Sequence, residues 1–300
     1  SGLFFFRKFT LRIGKSSKST DKFTLKQLSN TYMYLFELGV SIMMKNEVIQ
    51  SLLNHKSIRD YTDDIPSDEE IETIVKAGQQ AAFSSQLYSV IIERDKDNIP
   101  FGAPLLFTIC ADIHKLKLFM KKREWDIKTN DLTLLMFAVQ DASYMAQNIV
   151  AAAESLDMGT CYLGGALMKA DKLKEKYNLP EGVFPFVQLT VGYPAEYPPT
   201  RPRYPLDFTL FEDEYPDIDD DTLEDAMDEM DEGYLEQDYY RILSGKIPIQ
   251  DDDKEDEYTL NDYSWTEHIS RKWGQWFPEV KEQLEKIEEC GFEICPKEED

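Results

Sequence analysis

The sequence predicts an α+β fold in which helices pack on a small sheet. Segments with helical spacing of apolar residues are interleaved with short β-rich runs, but without the strict alternation of a parallel βαβ protein. Apolar residues make up 42% of the 300 residues and aromatic residues 12%, so the chain can bury a large core. This composition excludes a protein that is disordered throughout.

The first predicted elements begin at residues suited to cap helices. Asn46 is an N-cap residue, and Ser67 with Glu70 forms a capping box. From Asp131 onward, apolar residues recur at intervals of three and four, which predicts a long helix with a wide apolar stripe. The elements expected in this part are helices at about 47–54, 68–82 and 131–156 and strands at 88–92 and 105–111.

Shorter elements are predicted further along the chain. An acidic segment carries apolar residues at helical spacing, which is typical of a solvated helix with one apolar edge. Gly291 is placed to end the last helix. The expected elements are strands at 161–163 and 186–191 and helices at 170–177, 263–273 and 277–290.

Charge is distributed unevenly. The sequence has 33 basic and 57 acidic residues, a formal net charge of −24, which opposes binding to nucleic acid. Residues 1–42 contain seven basic and two acidic residues, whereas residues 212–257 contain 21 acidic and three basic ones. No apolar run has the length that a membrane span needs, so we expect no membrane partner.

The four cysteines and three histidines show no metal-binding spacing, and no CxxC pair is present. Reduced thiols indicate a cytoplasmic protein. The acidic run near residue 220 is similar to a calcium loop, but Thr222 stands where glycine is needed, so we expect no bound metal.

These features divide the chain into four regions. Residues 1–42 are interpreted as a leader or non-native extension, with a targeting peptide as the alternative, because they are basic, Ser-rich and without a clear period. Residues 43–210 form the core, residues 211–258 an acidic insert and residues 259–300 a C-terminal helical extension.

Two segments combine positive charge with hydrogen-bond donors, as an anion site requires. The first, at the end of a helix, contains His55, Lys56, Ser57 and Arg59. Compensation of the helix dipole is the alternative explanation for it. The second is a Pro-stiffened stretch with Arg201 and Arg203, and ordinary surface arginines are the alternative there.

Two further segments are suited to a planar ligand. Gly164 and Gly165 follow Tyr162 at the end of a strand, where backbone N–H groups can approach a ring without an intervening Cβ; a tight turn is the alternative. Directly after a helix, Ser84, Ser85 and Gln86 can donate to and accept from the edge of a heterocycle. A capped helix end explains these three residues nearly as well.

Together these segments resemble the FMN-dependent nitroreductase family, and in particular its NADPH-dependent flavin and nitro-compound reductase branch. The similarity runs from about residue 46 to residue 205 and resumes weakly at 239–241 and 264–269. Its motifs, in order, are HKSIRDYTDDIPSDEEI (55–71), AAFSSQ (81–86), APLLFTICAD (103–112), MAQNIVAAAESLDMGTCYLGG (145–165) and VGYPAEYPPTRPRYP (191–205). Their order and spacing, rather than any single motif, make the resemblance specific.

The resemblance implies a nitroreductase-like fold with a small, mostly antiparallel sheet between helices, and a homodimer with FMN at the subunit interface. It places residues 55–59 around the FMN phosphate and ribityl chain, with Arg201 and Arg203 adding contacts at the phosphate and the N1 side. Residues 84–86 would line the flavin edge. Tyr162, Gly164 and Gly165 would lie against the ring, with backbone N–H groups near N5.

The implied activity is reduction of nitroaromatics, quinones or flavins by NAD(P)H, in a ping-pong cycle of two-electron hydride transfer borne by the flavin. NADPH is the usual donor in the branch. Two alternatives stay open: a specialised flavin enzyme such as a reductive dehalogenase, and a non-enzymatic flavin- or partner-binding protein that docks through its acidic segment. The chain departs from the family in having Lys56 where arginine is usual and a short connector at 95–102, which affects the expected pocket.

Overall fold

A computed structural model describes residues 46–251, 253–276 and 279–294. The chain divides into two compact units, residues 1–50 and residues 51–300. The expected leader at 1–42 lies outside the described residues. The fold described below is that of the second unit, apart from the start of the first helix.

The described residues contain nine α-helices and four strands. The helices are α1 Glu47–Leu53, α2 Asp68–Gln79, α3 His114–Lys122, α4 Asp131–Glu154, α5 Ala170–Tyr177, α6 Asp220–Glu236, α7 Tyr239–Leu243, α8 Trp265–Gln275 and α9 Val280–Glu289. The strands are β1 Tyr88–Glu93, β2 Leu105–Asp112, β3 Gly159–Leu163 and β4 Val183–Gly192.

The four strands form one sheet in the order β1-β2-β4-β3, and every neighbouring pair is antiparallel. All eight residues of the central strand β2 are buried. Its pairing with β4 shifts register between Ile109 and Cys110. The predicted α+β class with a small antiparallel sheet is therefore confirmed.

The long helix α4 is the main helical layer against this sheet. Its predicted apolar stripe is confirmed, since nine of its apolar residues from Leu134 to Ala153 are buried. Ile149 and Met145 also pack against α2 so closely that a Cβ on Gly78 would lie 2.7 Å from the Ile149 Cγ1 atom. Close packing on two sides fixes the position of α4, and with it the polar side chains that α4 carries.

Several element boundaries differ from the prediction. The capping box of Ser67 and Glu70 is present, but α2 ends at Gln79 instead of residue 82, because the chain turns to donate N–H groups to α4. Strand β4 begins at Val183 instead of residue 186, since its first residues pair with the end of β2. The last two helices begin at Trp265 and Val280, later than expected, and Gly291 follows the last one with a φ of 84°.

The acidic segment contains a helix that is packed on one side. In α6, Ala226 and Met230 are buried, whereas Leu223 and Met227 remain exposed. Asp231 of α6 accepts hydrogen bonds from Thr266 in α8. The apolar edge predicted for this segment therefore packs only in part. No helix among the described residues is long and apolar enough to cross a membrane.

Candidate flavin site

The segment at 55–59 lies beside β3. Ile58 N–H donates to the Thr160 carbonyl oxygen at 2.8 Å, and Ser57 forms a parallel bridge with Thr160. The approach is so close that a Cβ on Gly159 would lie 2.5 Å from the Ile58 Cγ1 atom, which explains the glycine. Two of the predicted segments, 55–59 and 162–165, are thereby brought together.

The basic side chains of this cluster differ in their partners. His55 Nδ1 lies 2.6 Å from Glu154 Oε1, at the C-terminal end of α4. Lys56 and Ser57 are half-buried and Arg59 is exposed. Within the described ranges, no carboxylate forms an ion pair with the side chain of Lys56 or Arg59. The side chains of Lys56 and Arg59 thus offer two positive charges to an anion at this point, while the nearby Glu196 carboxylate accepts the backbone N–H of Arg59.

The end of β3 offers a flat, open surface. The Tyr162 hydroxyl donates to Gln147 Oε1 at 3.5 Å, and burial, together with the charge of Glu154, raises the pKa of Tyr162 to about 12. Gly164 and Gly165 are exposed, and a Cβ built on either would meet nothing within 4 Å. This open surface beside the cation cluster suits a planar ring attached to a phosphate.

The 84–86 segment is held by a single buried carboxylate. Asp141 of α4, 1% exposed, accepts N–H groups from Ser84 at 2.6 Å, Ser85 at 3.0 Å and Leu87 at 3.0 Å. Gln86 adopts a φ of 55° in this turn. The side chains of residues 84–86 remain exposed.

The 84–86 segment does not join the 55–59 cluster within one chain. Their anchors, Asp141 and Glu154, lie 13 residues apart on α4, which is about 20 Å along the axis and about 220° around it. The two segments therefore lie at different positions along α4 and on different sides of it.

The two arginines of the Pro-rich stretch pack near the acidic segment. Arg201 Nη1 donates to Gln237 Oε1 at 2.5 Å, and its guanidinium lies 4.1 Å from the centre of the Tyr239 ring. Arg203 is exposed and donates to the carbonyl oxygens of Arg201 and Pro202, both at 3.0 Å. Their partners thus belong to their own stretch and to the α6–α7 region.

Comparison with known proteins identifies the family. The Nitroreductase family model matches residues 90–193. The FMN reductase (NADPH) of Bacillus subtilis (strain 168) is 33% identical over 212 residues, which cover 65% of this chain and 84% of that protein. The chain belongs to the nitroreductase family.

Two further comparisons extend the match along this nitroreductase-family chain. The FMN reductase [NAD(P)H] of Bacillus subtilis (strain 168) is 30% identical over 268 residues, which cover 83% of this chain and 99% of that protein. The structure of B. megaterium NfrA2 superposes with a TM-score of 0.71 at 28% identity, covering 84% of this chain and 100% of that one. The resemblance to the nitroreductase family is therefore confirmed.

Three polar residues of α4 contact these segments but were not predicted as site residues, although two of them lie in the motif at 145–165. They are Asp141, which holds residues 84–87, Gln147, which contacts Tyr162, and Glu154, which contacts His55. The sequence pattern could have identified Asp141, because this charged residue lies three positions after Ala138 and so falls in the apolar stripe. Glu154 carries a weaker signal, because a carboxylate in the last turn opposes the helix dipole.

Proposed function

We propose that this chain is an FMN-dependent NAD(P)H oxidoreductase that reduces small-molecule acceptors, namely nitroaromatics, quinones or flavins. The observation that carries the proposal is the juxtaposition of the unpaired cations of residues 56 and 59 with the open glycine pair after β3. The names of its relatives, FMN reductase (NADPH) and FMN reductase [NAD(P)H], support the same cofactor and donors. NADPH is the donor we expect to be preferred.

Residues 55–59 would hold the FMN phosphate and the adjoining ribityl chain. Lys56 and Arg59 supply charge, Ser57 a neutral donor and His55 a ring N–H. Lysine at position 56 provides a point charge instead of a bidentate grip, so Arg59 would supply the directional contact.

The isoalloxazine ring would rest on the surface formed by Tyr162, Gly164 and Gly165. Backbone N–H groups at the glycine pair would lie near N5, since the space beside both glycines is open. FMN, when bound, accepts a hydride from NAD(P)H and passes two electrons to the acceptor. Arg203, which is exposed, would contact the N1 side, whereas Arg201, held by Gln237 and Tyr239, would contribute mainly positive potential.

The site would be completed by a second copy of the chain. Because residues 84–86 lie away from the 55–59 cluster within one chain, we infer that the second subunit supplies them to the flavin edge. The outer side of α4 supports a homodimer, since it exposes large apolar side chains that a partner would cover. These are Leu132, Met136, Phe137 and Tyr144.

The visible spectrum of the purified full-length protein, recorded before and after anaerobic NADPH, tests the cofactor and the first half-reaction. We expect a yellow protein that bleaches promptly with NADPH and more slowly with NADH. A yellow protein that neither donor bleaches would indicate a flavin binder without reductase activity. A colourless protein that FMN does not reconstitute would refute the site.

Steady-state kinetics with a quinone acceptor test the ping-pong order. NADPH and acceptor would bind at the same site in turn, so double-reciprocal plots at several acceptor concentrations should be parallel. Intersecting lines would instead require both substrates to be bound together.

A further inference from the structure

Glu154 contributes a carboxylate to the phosphate end of the proposed site. We propose that Glu154 is a positioning residue for FMN: it binds His55 through Nδ1 and thereby directs the opposite ring nitrogen, Nε2, to the phosphate as a hydrogen-bond donor. The inference rests on the proposed function, because it takes the 55–59 cluster as the phosphate site. It adds a residue on α4 that the cofactor does not need to touch.

The geometry of the pair is that of a specific contact. His55 Nδ1 and Glu154 Oε1 are 2.6 Å apart, and the two side chains are 26% and 14% exposed. The two residues are 99 positions apart in sequence, so the contact is made by the fold and not by local chain geometry. Surface ion pairs of long, mobile side chains are seldom as enclosed as this.

The position of Glu154 in the helix is unfavourable for a carboxylate. It is the last residue of α4, where the negative end of the helix dipole repels a carboxylate. It also lies close enough to Tyr162 for its charge to help raise the pKa of that phenol. A half-buried carboxylate beside the negative end of a helix indicates a role in holding His55.

The contact with Glu154 determines which nitrogen of the His55 ring is available to a ligand. A carboxylate only accepts hydrogen bonds, so Nδ1 must carry a proton and Nε2 becomes the nitrogen available to a ligand. Nε2 can donate to a phosphate oxygen only when each ring nitrogen carries a proton, with one N–H directed to Glu154 and the other to the phosphate. The ring then bridges two anions in a fixed orientation, which a freely rotating histidine would not do.

Paired titrations with FMN and riboflavin measure the phosphate-specific part of this effect. The full-length protein is stripped of flavin and titrated with each ligand, and quenching of flavin fluorescence gives the dissociation constants. Glu154→Gln should weaken FMN binding about tenfold, because the neutral amide oxygen makes a weaker hydrogen bond to Nδ1 than the carboxylate does, and should change riboflavin binding less than twofold. Unchanged or tighter FMN binding would overturn the inference.

The sign of the change separates positioning from simple electrostatics. Glu154→Gln removes a negative charge near an anionic ligand, so the loss of Coulomb repulsion alone would make FMN bind more tightly. The matched control is Glu175→Gln, which removes the same charge at an exposed position on α5 and should leave both affinities unchanged. Equal thermal melting of the two variants without flavin shows that both are folded.

His55→Ala distinguishes failure of the inference from failure of the proposed site. If neither His55→Ala nor Arg59→Ala changes the ratio of FMN to riboflavin affinity, residues 55–59 do not hold the phosphate and both proposals fail. If only Arg59→Ala lowers the ratio, the site stands and the role of Glu154 is refuted. If His55→Ala lowers the ratio and Glu154→Gln does not, only the role of Glu154 is refuted. We expect both to lower it and the double variant to bind FMN no more weakly than His55→Ala alone.

The imidazole nitrogen signals give a readout that does not depend on affinity. The chain has three histidines, so the spectrum of protein labelled with ¹⁵N-histidine is simple, and His55→Ala assigns the signal of interest. We expect Nδ1 of His55 to be protonated in the wild type and to lose this fixed state in Glu154→Gln. A wild-type signal typical of a solvent-exposed, exchanging histidine would contradict the inference.

Discussion

At the residue scale, the side chains with the largest expected effect on structure are the charged residues that α4 holds in buried or half-buried positions. Asp141 is 1% exposed and accepts three backbone N–H groups from the turn at 84–87. Those N–H groups would be unsatisfied without it, because the turn belongs to neither a helix nor a strand. One carboxylate therefore determines the conformation of a segment that we place at the flavin edge.

Replacing Asp141 should destabilise the protein substantially. Asp141→Ala leaves three N–H groups without an acceptor and should lower the free energy of unfolding by about 3 kcal/mol. Urea unfolding followed by circular dichroism measures this change. The control Asp126→Ala removes an exposed carboxylate that pairs with Lys128 and should cost less than about 0.5 kcal/mol. Equal effects of the two substitutions would show that the turn does not depend on Asp141.

At the element scale, α8 is tied to the acidic segment through Arg271. This side chain is buried and donates to Glu267 at 2.6 Å, to Asp256 at 2.8 Å and to the Ile247 carbonyl at 2.9 Å. Lys246 Nζ also lies 2.8 Å from Asp256. The region predicted as an acidic insert is thus attached to the C-terminal helices by ion pairs as well as by packing.

Removing Arg271 should loosen this attachment. Arg271→Ala leaves the carboxylates of Asp256 and Glu267 without their main partner and should cost about 3 kcal/mol. Thermal melting and limited proteolysis between residues 237 and 264 measure the loss. The control Arg123→Ala, at an exposed position after α3, should melt with the wild type. Wild-type protease resistance in Arg271→Ala would contradict the anchoring role.

The same contact has a defined pH dependence. Hydrogen bonds from Arg271 and Lys246 lower the pKa of Asp256 below its ordinary value of 3.8. A carboxyl whose pKa is lowered in the folded state stabilises the protein at pH values above its ordinary pKa. This stabilisation is lost as the pH falls through the folded-state pKa.

The melting temperatures of wild type and Asp256→Asn should therefore differ most above about pH 4.5 and converge as the pH falls below about 3. Calorimetry across this range measures the difference. Asp253→Asn, which changes a nearby exposed carboxylate, should follow the wild type at every pH. A difference between wild type and Asp256→Asn that grows on acidification would refute the assigned sign.

At the scale of the whole molecule, the exposed side of α4 and the separation of the flavin-site segments point to the same assembly. Met136 is 59% exposed on a helix whose other side lies in the core. We expect Met136→Lys to convert the proposed homodimer to a monomer, because the charge would be buried without a partner at the interface. Light scattering after gel filtration measures the mass, and the visible spectrum measures retained flavin.

Loss of the dimer should be accompanied by loss of FMN, because residues 84–86 would no longer reach the flavin of the other subunit. Glu175→Lys places a lysine on an exposed part of α5, with a larger change of net charge, and should leave mass and colour unchanged. A Met136→Lys protein that stays dimeric would exclude this side of α4 as the interface. A monomer that retains FMN would exclude a shared site.

Much of the architecture was predictable because it depends on short-range interactions. The capping box of Ser67 and Glu70, the stripe of α4 and the glycine after α9 each follow from residues within a few positions of one another. The boundaries that differed, at the end of α2 and the start of β4, are those where a distant partner competes for the backbone. The motif order also predicted the family, which the comparisons confirm.

The sequence by itself determined the class of fold, the long central helix, the family and the segments that carry positive charge or paired glycines. Only the tertiary structure decided which of these meet: Ser57 beside Thr160, His55 with Glu154, and residues 84–87 on Asp141. The physical reason is that local conformation is set by neighbours in sequence. Contacts across 50 to 100 residues depend instead on how α4 packs against the sheet, which no single segment encodes.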